Sequence, residues 1–217
     1  WRDDLRDFKK LGTPRLFFGV NSGSMDSMVN HYTSTKRLRS NDAYTPGGIA
    51  GQRPDYATTV YSRILKNLYP DVPVVLGGIE ASLRRFSHYD YWSDSYKPSI
   101  LIDSKADMLI YGMGERPIVA IAKALNEGKK ISDLTEIPQT AYLATTLENC
   151  AKKPVELYSY EDCLKNKILD AKNFRIIEEQ SNAWRAEKIA QRFGDNYVVV
   201  NEPDFQMTTE ELDAVYA

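Results

Sequence analysis

Three short segments carry the residue types that hold small ligands, because each combines glycine with polar side chains. The predicted binding residues in these segments are Asn21, Ser22, Gly23, Asp26, Gly77, Gly78, Glu80, Gly114 and Glu115. Glycine lets a ligand approach the backbone closely, and free amide groups at the start of a helix hold a phosphate, an amide or a carboxylate. The alternative for the paired glycines is a tight turn alone, and the pair Gly112 and Gly114 lacks the third glycine of a dinucleotide fingerprint.

Two adjacent arginines, Arg84 and Arg85, follow the second segment and are predicted to belong to the same site. His88 and the aromatic residues at positions 89, 91 and 92 come directly behind them. Guanidinium groups beside aromatic rings suit a flat anionic ligand or a partner domain. The competing interpretation is that the arginines are solvated and the rings only fill the interior.

Metal binding and nucleophilic catalysis are not predicted for this chain. His31 and His88 are the only histidines, and Cys150 and Cys163 are the only cysteines. The cysteines lie far apart with no thiol or imidazole close in sequence, so they form no recognisable ligand cluster or triad. We expect both cysteines to be structural, and we predict no catalytic residue and no metal ligand.

Alternating strands and helices are predicted to position the three segments. Apolar runs bounded by turn residues at 16–20, 72–76 and 106–111 indicate buried strands. Helical periodicity follows Asp55, a predicted N-cap, and ends at Pro70, while a second helix with Pro117 in its first turn runs to Gly128. This pattern predicts an α/β fold with a Rossmann-like, open, mostly parallel sheet and helices on both faces. The carboxyl ends of such strands meet at one edge, where ligands bind.

The rest of the chain is assigned to an insertion and an extension. Residues 21–53 are polar and contain glycine. A segment of over thirty residues is too long for a simple connecting loop in a compact domain, which predicts a functional insertion. Residues 139–145 and 197–200 are predicted strands, and 160–193 are predicted to be helical. We therefore predict a Rossmann-like domain over 1–146 and a helical and strand extension over 147–217.

Composition narrows the class of protein. The 217 residues include 28 Lys and Arg against 30 Asp and Glu, a net charge of −2 that provides no long-range attraction for nucleic acid. No apolar run approaches the roughly 20 residues of a membrane helix. With only two cysteines, we expect a cytoplasmic protein with neither a membrane nor a nucleic acid as its partner.

Several longer strings resemble the N-terminal domain of the YgiQ-type (UPF0313) radical SAM proteins of bacteria. These strings cover most of the chain and lie at 16–20, 23–30, 42–47, 51–55, 77–94, 103–108, 112–117 and 178–182. The resemblance implies an accessory domain that precedes a radical SAM barrel and helps to bind an unidentified small-molecule substrate or a cofactor. We therefore expect a fragment, starting at Trp1 and stopping at Ala217, with the barrel downstream as its partner.

The resemblance also implies the cofactors of the longer protein, a 4Fe-4S cluster and S-adenosylmethionine. The CxxxCxxC loop that binds such a cluster is missing here, so this chain is not expected to be catalytic alone. The same turns are similar to cobalamin-binding domains, but the DxHxxG ligand motif is absent, since Val29 and Phe86 stand two residues before the histidines. The alternatives are a stand-alone module for cobalamin or a nucleotide, and a purely structural packing domain.

Overall fold

A computed structural model describes residues 3–217, so the start of the chain at Trp1 and Arg2 lies outside the described residues. In chain order the strands are β1 Phe18–Val20, β2 Val74–Leu76, β3 His88–Asp90, β4 Ser95–Lys97, β5 Met108–Ile110, β6 Thr140–Ala144, β7 Val155–Glu156, β8 Ile189–Phe193 and β9 Asn196–Val200. The helices are α1 Arg6–Lys9, α2 Ser27–His31, α3 Ala57–Leu68, α4 Gly78–Leu83, α5 Ile100–Ser104, α6 Glu115–Asn126, α7 Tyr160–Lys165, α8 Lys167–Ser181 and α9 Thr209–Tyr216.

Seven strands of the described chain form one sheet, in the order β1-β2-β5-β6-β9-β8-β7, and β3 pairs with β4 separately. β1, β2 and β5 run parallel to one another. β6 is antiparallel to both β5 and β9, so β9 runs in the same direction as β5. β8 is antiparallel to β9 and parallel to β7. The ends of β1, β2, β5 and β9 therefore share one side of the sheet, called the carboxyl edge below.

Both faces of the sheet are covered, because its central strands are apolar on both sides. In β2, Val74 and Leu76 pack in one core with Leu65 of α3, whereas Val75 packs in the other core with Ile121 of α6. α5 and α8 add apolar side chains to the first core. The predicted α/β fold, an open sheet with helices on both faces, is confirmed.

The start of α3 differs from the prediction that Asp55 caps it. The N-cap is Tyr56, in the left-handed region at φ 52°, and its side chain forms no capping hydrogen bond. The amide of Thr58 instead donates to Glu80 of α4 at 2.9 Å. A carboxylate distant in sequence thus replaces the local cap, and Asp55 is free to contact His31 at 3.0 Å.

The second half of the chain is less helical than predicted. α8 ends at Ser181, and β8 starts at Ile189, so the predicted helix over 160–193 was wrong in its last part. β7, β8 and β9 extend the sheet to which β1, β2, β5 and β6 belong. The domain boundary near Thr146 stays a prediction.

The predicted insertion is an ordered part of this fold. Within residues 21–53 lie α2, a short 3-10 helix Pro46–Gly48, and two isolated antiparallel bridges, Tyr32 with Leu38 and Asn41 with Ile49.

Across residues 3–217, no helix combines the length and the hydrophobicity that crossing a bilayer requires.

Candidate functional site

The first two predicted segments meet at the carboxyl edge. The amide of Gly77, directly after β2, donates to the carbonyl of Val20 at the end of β1, at 3.0 Å. Gly78 has a positive φ of 80°, and a Cβ at this position would lie 3.3 Å from the Cβ of Asn21. Glycine is therefore required here both by conformation and by the close approach of the two turns.

The carboxylates of this edge satisfy the starts of neighbouring helices. Glu80 is fully buried, and its two oxygens accept the amide of Ser27 at 2.8 Å and that of Thr58 at 2.9 Å. Asp26 caps α2 by accepting the amide of Met28 at 2.9 Å, and it forms an ion pair with Arg84. Carboxylates at helix N-termini stabilise the helices. These predicted binding residues thus hold one another in place.

Asp42 fastens the 21–53 segment to the same edge. Its carboxylate accepts hydrogen bonds from Arg53 at 2.8 Å and from Asn30 at 2.7 Å. Burial alone would raise the pKa of Asp42, but the hydrogen bonds from Arg53, the Tyr44 amide and Asn30 hold that pKa below its usual value. Arg53 also donates to the carbonyl of Ser22 at 2.8 Å. A Cβ at Gly23 would lie 2.7 Å from the Tyr44 ring.

Neither histidine exposes a ring nitrogen to an incoming metal or cobalt ion, because the Nε2 atoms of both are buried. His31 is 5% exposed, and its nitrogens lie 3.0 Å from Asp55 and 3.5 Å from Asp42. His88 contacts the carbonyl of Phe86 through Nδ1 at 3.1 Å, while its Nε2 is buried without a partner. Burial lowers the pKa of His88. The histidines therefore do not fit as cobalamin ligands.

The two cysteines do not fit an iron-sulfur cluster either. Cys150 packs in the core that contains Tyr142, whereas Cys163 lies in α7, whose Tyr160 packs against the opposite core. Cys163 is buried, and its Sγ accepts a hydrogen bond from Asn173 of α8 at 3.2 Å. Burial raises the pKa of its thiol. Within residues 3–217, no three His, Cys, Asp or Glu residues group as a metal site would require.

Arg85 differs from the neighbouring arginine in having no acidic partner. Its Nη1 donates to the carbonyl of Ser82 at 2.6 Å, and the guanidinium lies 5.0 Å from the centre of the Tyr111 ring. Burial lowers the pKa of Arg85. Burial alone would have the same effect on Arg84, but Asp26 raises the pKa of that arginine above its usual value. Arg85 is thus a half-buried cation without a carboxylate.

A cavity of about 160 Å³ opens beside Arg85 at the carboxyl edge, and we call it the Arg85 cavity. Strand ends and the last turn of α8 form its walls, and one side is open to solvent. Its lining comprises Arg85, Phe86, Tyr111, Gln180, Ser181, Ala186, Glu187, Ile189, Val200, Asn201 and Pro203. The Arg85 cavity therefore combines one cation with an apolar wall and several amide or hydroxyl groups.

Asn201, directly after β9, is a lining residue that the sequence did not single out. It is 2% exposed, and its Nδ2 donates to the carbonyls of Thr135 and Ile137 at 3.0 and 2.9 Å. Two carbonyl acceptors fix the orientation of the amide, since a carbonyl oxygen only accepts. Oδ1 of Asn201 has no hydrogen-bond partner. The hydroxyl of Tyr111 donates to the Asn201 backbone carbonyl at 2.6 Å.

The third predicted segment is connected to the carboxyl edge by Tyr111, the residue directly before Gly112. Arg85 and Tyr111 connect it to the second segment, while Gly114 and Glu115 form the start of α6. Oε2 of Glu115 is buried without a hydrogen-bond partner. The binding roles of Gly114 and Glu115 stay predictions. A signal for Asn201 and Tyr111 did exist, because Tyr111 ends one predicted strand and Asn201 directly follows another.

The chain is similar to known proteins over its whole length. It matches the family described as Radical SAM N-terminal across residues 1–217. It is 56% identical over 228 residues to a UPF0313 protein of Bacteroides thetaiotaomicron, an alignment that covers 100% of this chain and 37% of that protein. It is 56% identical over 219 residues to a UPF0313 protein of Porphyromonas gingivalis, covering 98% of this chain and 34% of that one. No solved structure matches. The chain thus spans about a third of the length of these relatives.

Proposed function

The chain belongs to the radical SAM N-terminal family, and from this we propose that it is the accessory domain of a longer radical SAM iron-sulfur enzyme. In this proposal the domain helps to bind a small-molecule substrate or a cofactor at its carboxyl edge, next to the rest of the protein. The observation that carries the proposal is the Arg85 cavity, which lies where β5 and β9 end and contains an unpaired cation. Ligands of open α/β sheets bind at such edges.

The work of this chain in the proposal is binding and orientation. Glu80 and Asp26 hold the starts of α2 and α3 rigidly against the strand ends. In the Arg85 cavity, Arg85 donates to the Ser82 carbonyl and Tyr111 donates to the Asn201 carbonyl, so a ligand would meet side chains that are already fixed, which lowers the entropy cost of binding. The 4Fe-4S cluster and S-adenosylmethionine of the family would be held outside this chain, whose two cysteines do not fit a cluster.

The proposal is tested on the full-length protein after anaerobic reconstitution. Iron and acid-labile sulfide are measured together with the cleavage of S-adenosylmethionine. We expect a 4Fe-4S cluster and cleavage of the cosubstrate. A full-length protein that binds no cluster and cleaves no S-adenosylmethionine would refute the proposal. A titration with cobalamin, read from the visible spectrum, is expected to leave that spectrum unchanged, since the Nε2 atoms of both histidines of this chain are buried.

A second candidate function is a packing surface for the rest of the protein, and exposed apolar side chains favour it. Seven large apolar residues stand exposed in and near the 21–53 segment and the β3 hairpin, namely Met25, Val29, Leu38, Tyr44, Ile49, Tyr89 and Tyr91. Apolar groups gathered in this way mark interaction surfaces. The relatives are about three times as long as this chain, so the rest of such a protein is large enough to cover this surface.

Two cysteine substitutions test the packing surface in the full-length protein. Ile49 is 58% exposed and Ile168 is 66% exposed in this structure. If the rest of the protein covers the 21–53 segment, Ile49→Cys reacts slowly with a maleimide while Ile168→Cys reacts fast. Equal, fast labelling at both positions, located by mass spectrometry, would rule out the packing surface.

A further inference from the structure

We propose that the Arg85 cavity binds a small organic carboxylate. This inference rests on the proposed function, because it names the class of ligand that the accessory domain holds. It is argued from the charge, the size and the apolar wall of the cavity.

The charge of the cavity calls for one anionic group. Other shielded cations of this structure are paired, as Arg53 is with Asp42 at 2.8 Å and Lys188 with Glu136 at 2.6 Å. Among the described residues, no carboxylate lies within 4.0 Å of the Arg85 guanidinium. The centres of the Phe86 and Tyr111 rings lie 5.5 and 5.0 Å from that guanidinium. A half-buried cation left in this state gains most from an anion that arrives from outside.

A carboxylate fits this charge better than a phosphate does. A single guanidinium matches the single charge of a carboxylate, with which it forms planar, charge-assisted hydrogen bonds. Phosphate sites usually offer several amides or cations together. Here Arg85 is the one cation among the described residues of the lining, and α8 contributes its C-terminal end at Gln180 and Ser181, so the wall supplies no helix-start amides for further phosphate oxygens.

The volume of the cavity suits a small molecule. Its volume of about 160 Å³ is close to that of an engineered cavity that holds benzene. Phe86, Ile189 and Val200 supply apolar contacts for a compact body. Glu187 also lines the cavity but is exposed to solvent, so it favours an orientation with the carboxylate directed inward to Arg85.

The binding of four matched probes to the full-length protein is measured by ligand-detected NMR titration. The probes are 4-hydroxybenzoate, its neutral counterpart 4-hydroxybenzamide, benzoate without the hydroxyl group, and inorganic phosphate. We expect 4-hydroxybenzoate to bind in the millimolar range or tighter, and the amide to bind about tenfold more weakly because it lacks the charge. Benzoate, which keeps the charge, is expected to bind about as tightly as 4-hydroxybenzoate, and phosphate is expected not to bind.

Variants locate the binding in the Arg85 cavity. Arg85→Gln is expected to weaken binding of 4-hydroxybenzoate about tenfold, and Arg85→Lys less, since it keeps the charge but loses the planar fork. Arg63→Gln, which removes an exposed arginine from α3, is the control and should leave the affinity unchanged. The comparison of the probes on the unaltered protein decides the matter should Arg85→Gln fail to fold.

Several results would overturn the inference. These are no binding of 4-hydroxybenzoate, equal binding of the acid and the amide, full affinity in a folded Arg85→Gln variant, or phosphate binding as tight as that of the acid. Cluster content and S-adenosylmethionine cleavage are measured on the same preparation. A protein with a cluster but no carboxylate binding refutes this inference and leaves the accessory role standing, whereas carboxylate binding without a cluster refutes the accessory role alone.

Discussion

The Arg85 guanidinium lies 5.0 Å from the centre of the Tyr111 ring, and among the described residues it has no carboxylate as a partner. Arg84, the preceding residue, forms an ion pair with Asp26. Two adjacent arginines therefore have different roles, one in joining helices and one in facing a cavity. The distinction separates the framework of the carboxyl edge from the part that is open to a ligand.

The two glycines after β2 are expected to respond differently to alanine. Gly78→Ala forces a Cβ into the left-handed region at φ 80° and to within 3.3 Å of Asn21, so we expect a loss of about 1–3 kcal/mol in local stability. Gly77→Ala is the matched control, because Gly77 has extended backbone and nothing lies within 4 Å of the added Cβ. Its effect should stay within about 0.5 kcal/mol. Hydrogen exchange of residues 18–30 in the full-length protein measures both, and equal protection in the two variants would contradict the assignment.

Removal of the Glu80 carboxylate is expected to loosen two helices at once. Glu80→Ala leaves the amides of Ser27 and Thr58 without acceptors, which costs about 2–5 kcal/mol for two buried donors. Glu161→Ala removes a single exposed acceptor, that of the Gly194 amide, and should cost less than about 1 kcal/mol. Urea unfolding of the full-length protein, followed by hydrogen exchange in α2 and α3, provides the comparison. A loss confined to one of the two helices would show that Glu80 does not join them.

Acid is expected to destabilise the 21–53 segment through Asp42. Its hydrogen bonds with Arg53, the Tyr44 amide and Asn30 keep the folded pKa of Asp42 below the unfolded value of 3.8. The stability that this carboxylate contributes is therefore complete above that value and is lost as the pH falls through the folded pKa. Asp42→Asn should lower stability near neutral pH and flatten the acid dependence of the segment.

The measurement for Asp42 is proteolysis or hydrogen exchange of residues 21–53 as a function of pH. Asp71→Asn, at an exposed position before β2, is the control for the loss of one negative charge. An Asp42→Asn variant with the same acid profile as the unaltered protein would contradict the role of this carboxylate.

Local patterns in the sequence predicted the central sheet well. Continuous apolar runs bounded by glycine identified β2 and β5, and helical periodicity identified α3 and α6. The cap of α3 was wrong because Glu80, which satisfies Thr58, lies 22 residues away. β8 was missed because the run 160–193 has a mixed polar pattern in which neither glycine nor proline marks the end of α8.

The candidate site was predicted only in part for the same reason. The turns at Gly23 and Gly78 do meet, but their charged residues Asp26 and Arg84 pair with each other and are not free to bind a ligand. The Arg85 cavity depends on Tyr111 and Asn201, which are 90 residues apart in sequence. Long-range pairing of this kind has no local signal, so the absence of a carboxylate next to Arg85 became visible only in the fold.

The most direct test of the account is S-adenosylmethionine cleavage by the full-length protein with Cys150→Ser and Cys163→Ser combined, measured with its iron and sulfide content. Both thiols have structural contacts here, to Tyr142 at 3.7 Å and to Asn173 at 3.2 Å. The account predicts that the double variant keeps a full cluster and cleaves S-adenosylmethionine as the unaltered protein does. Loss of the cluster in a folded double variant, or a full-length protein that never cleaves S-adenosylmethionine, would contradict it.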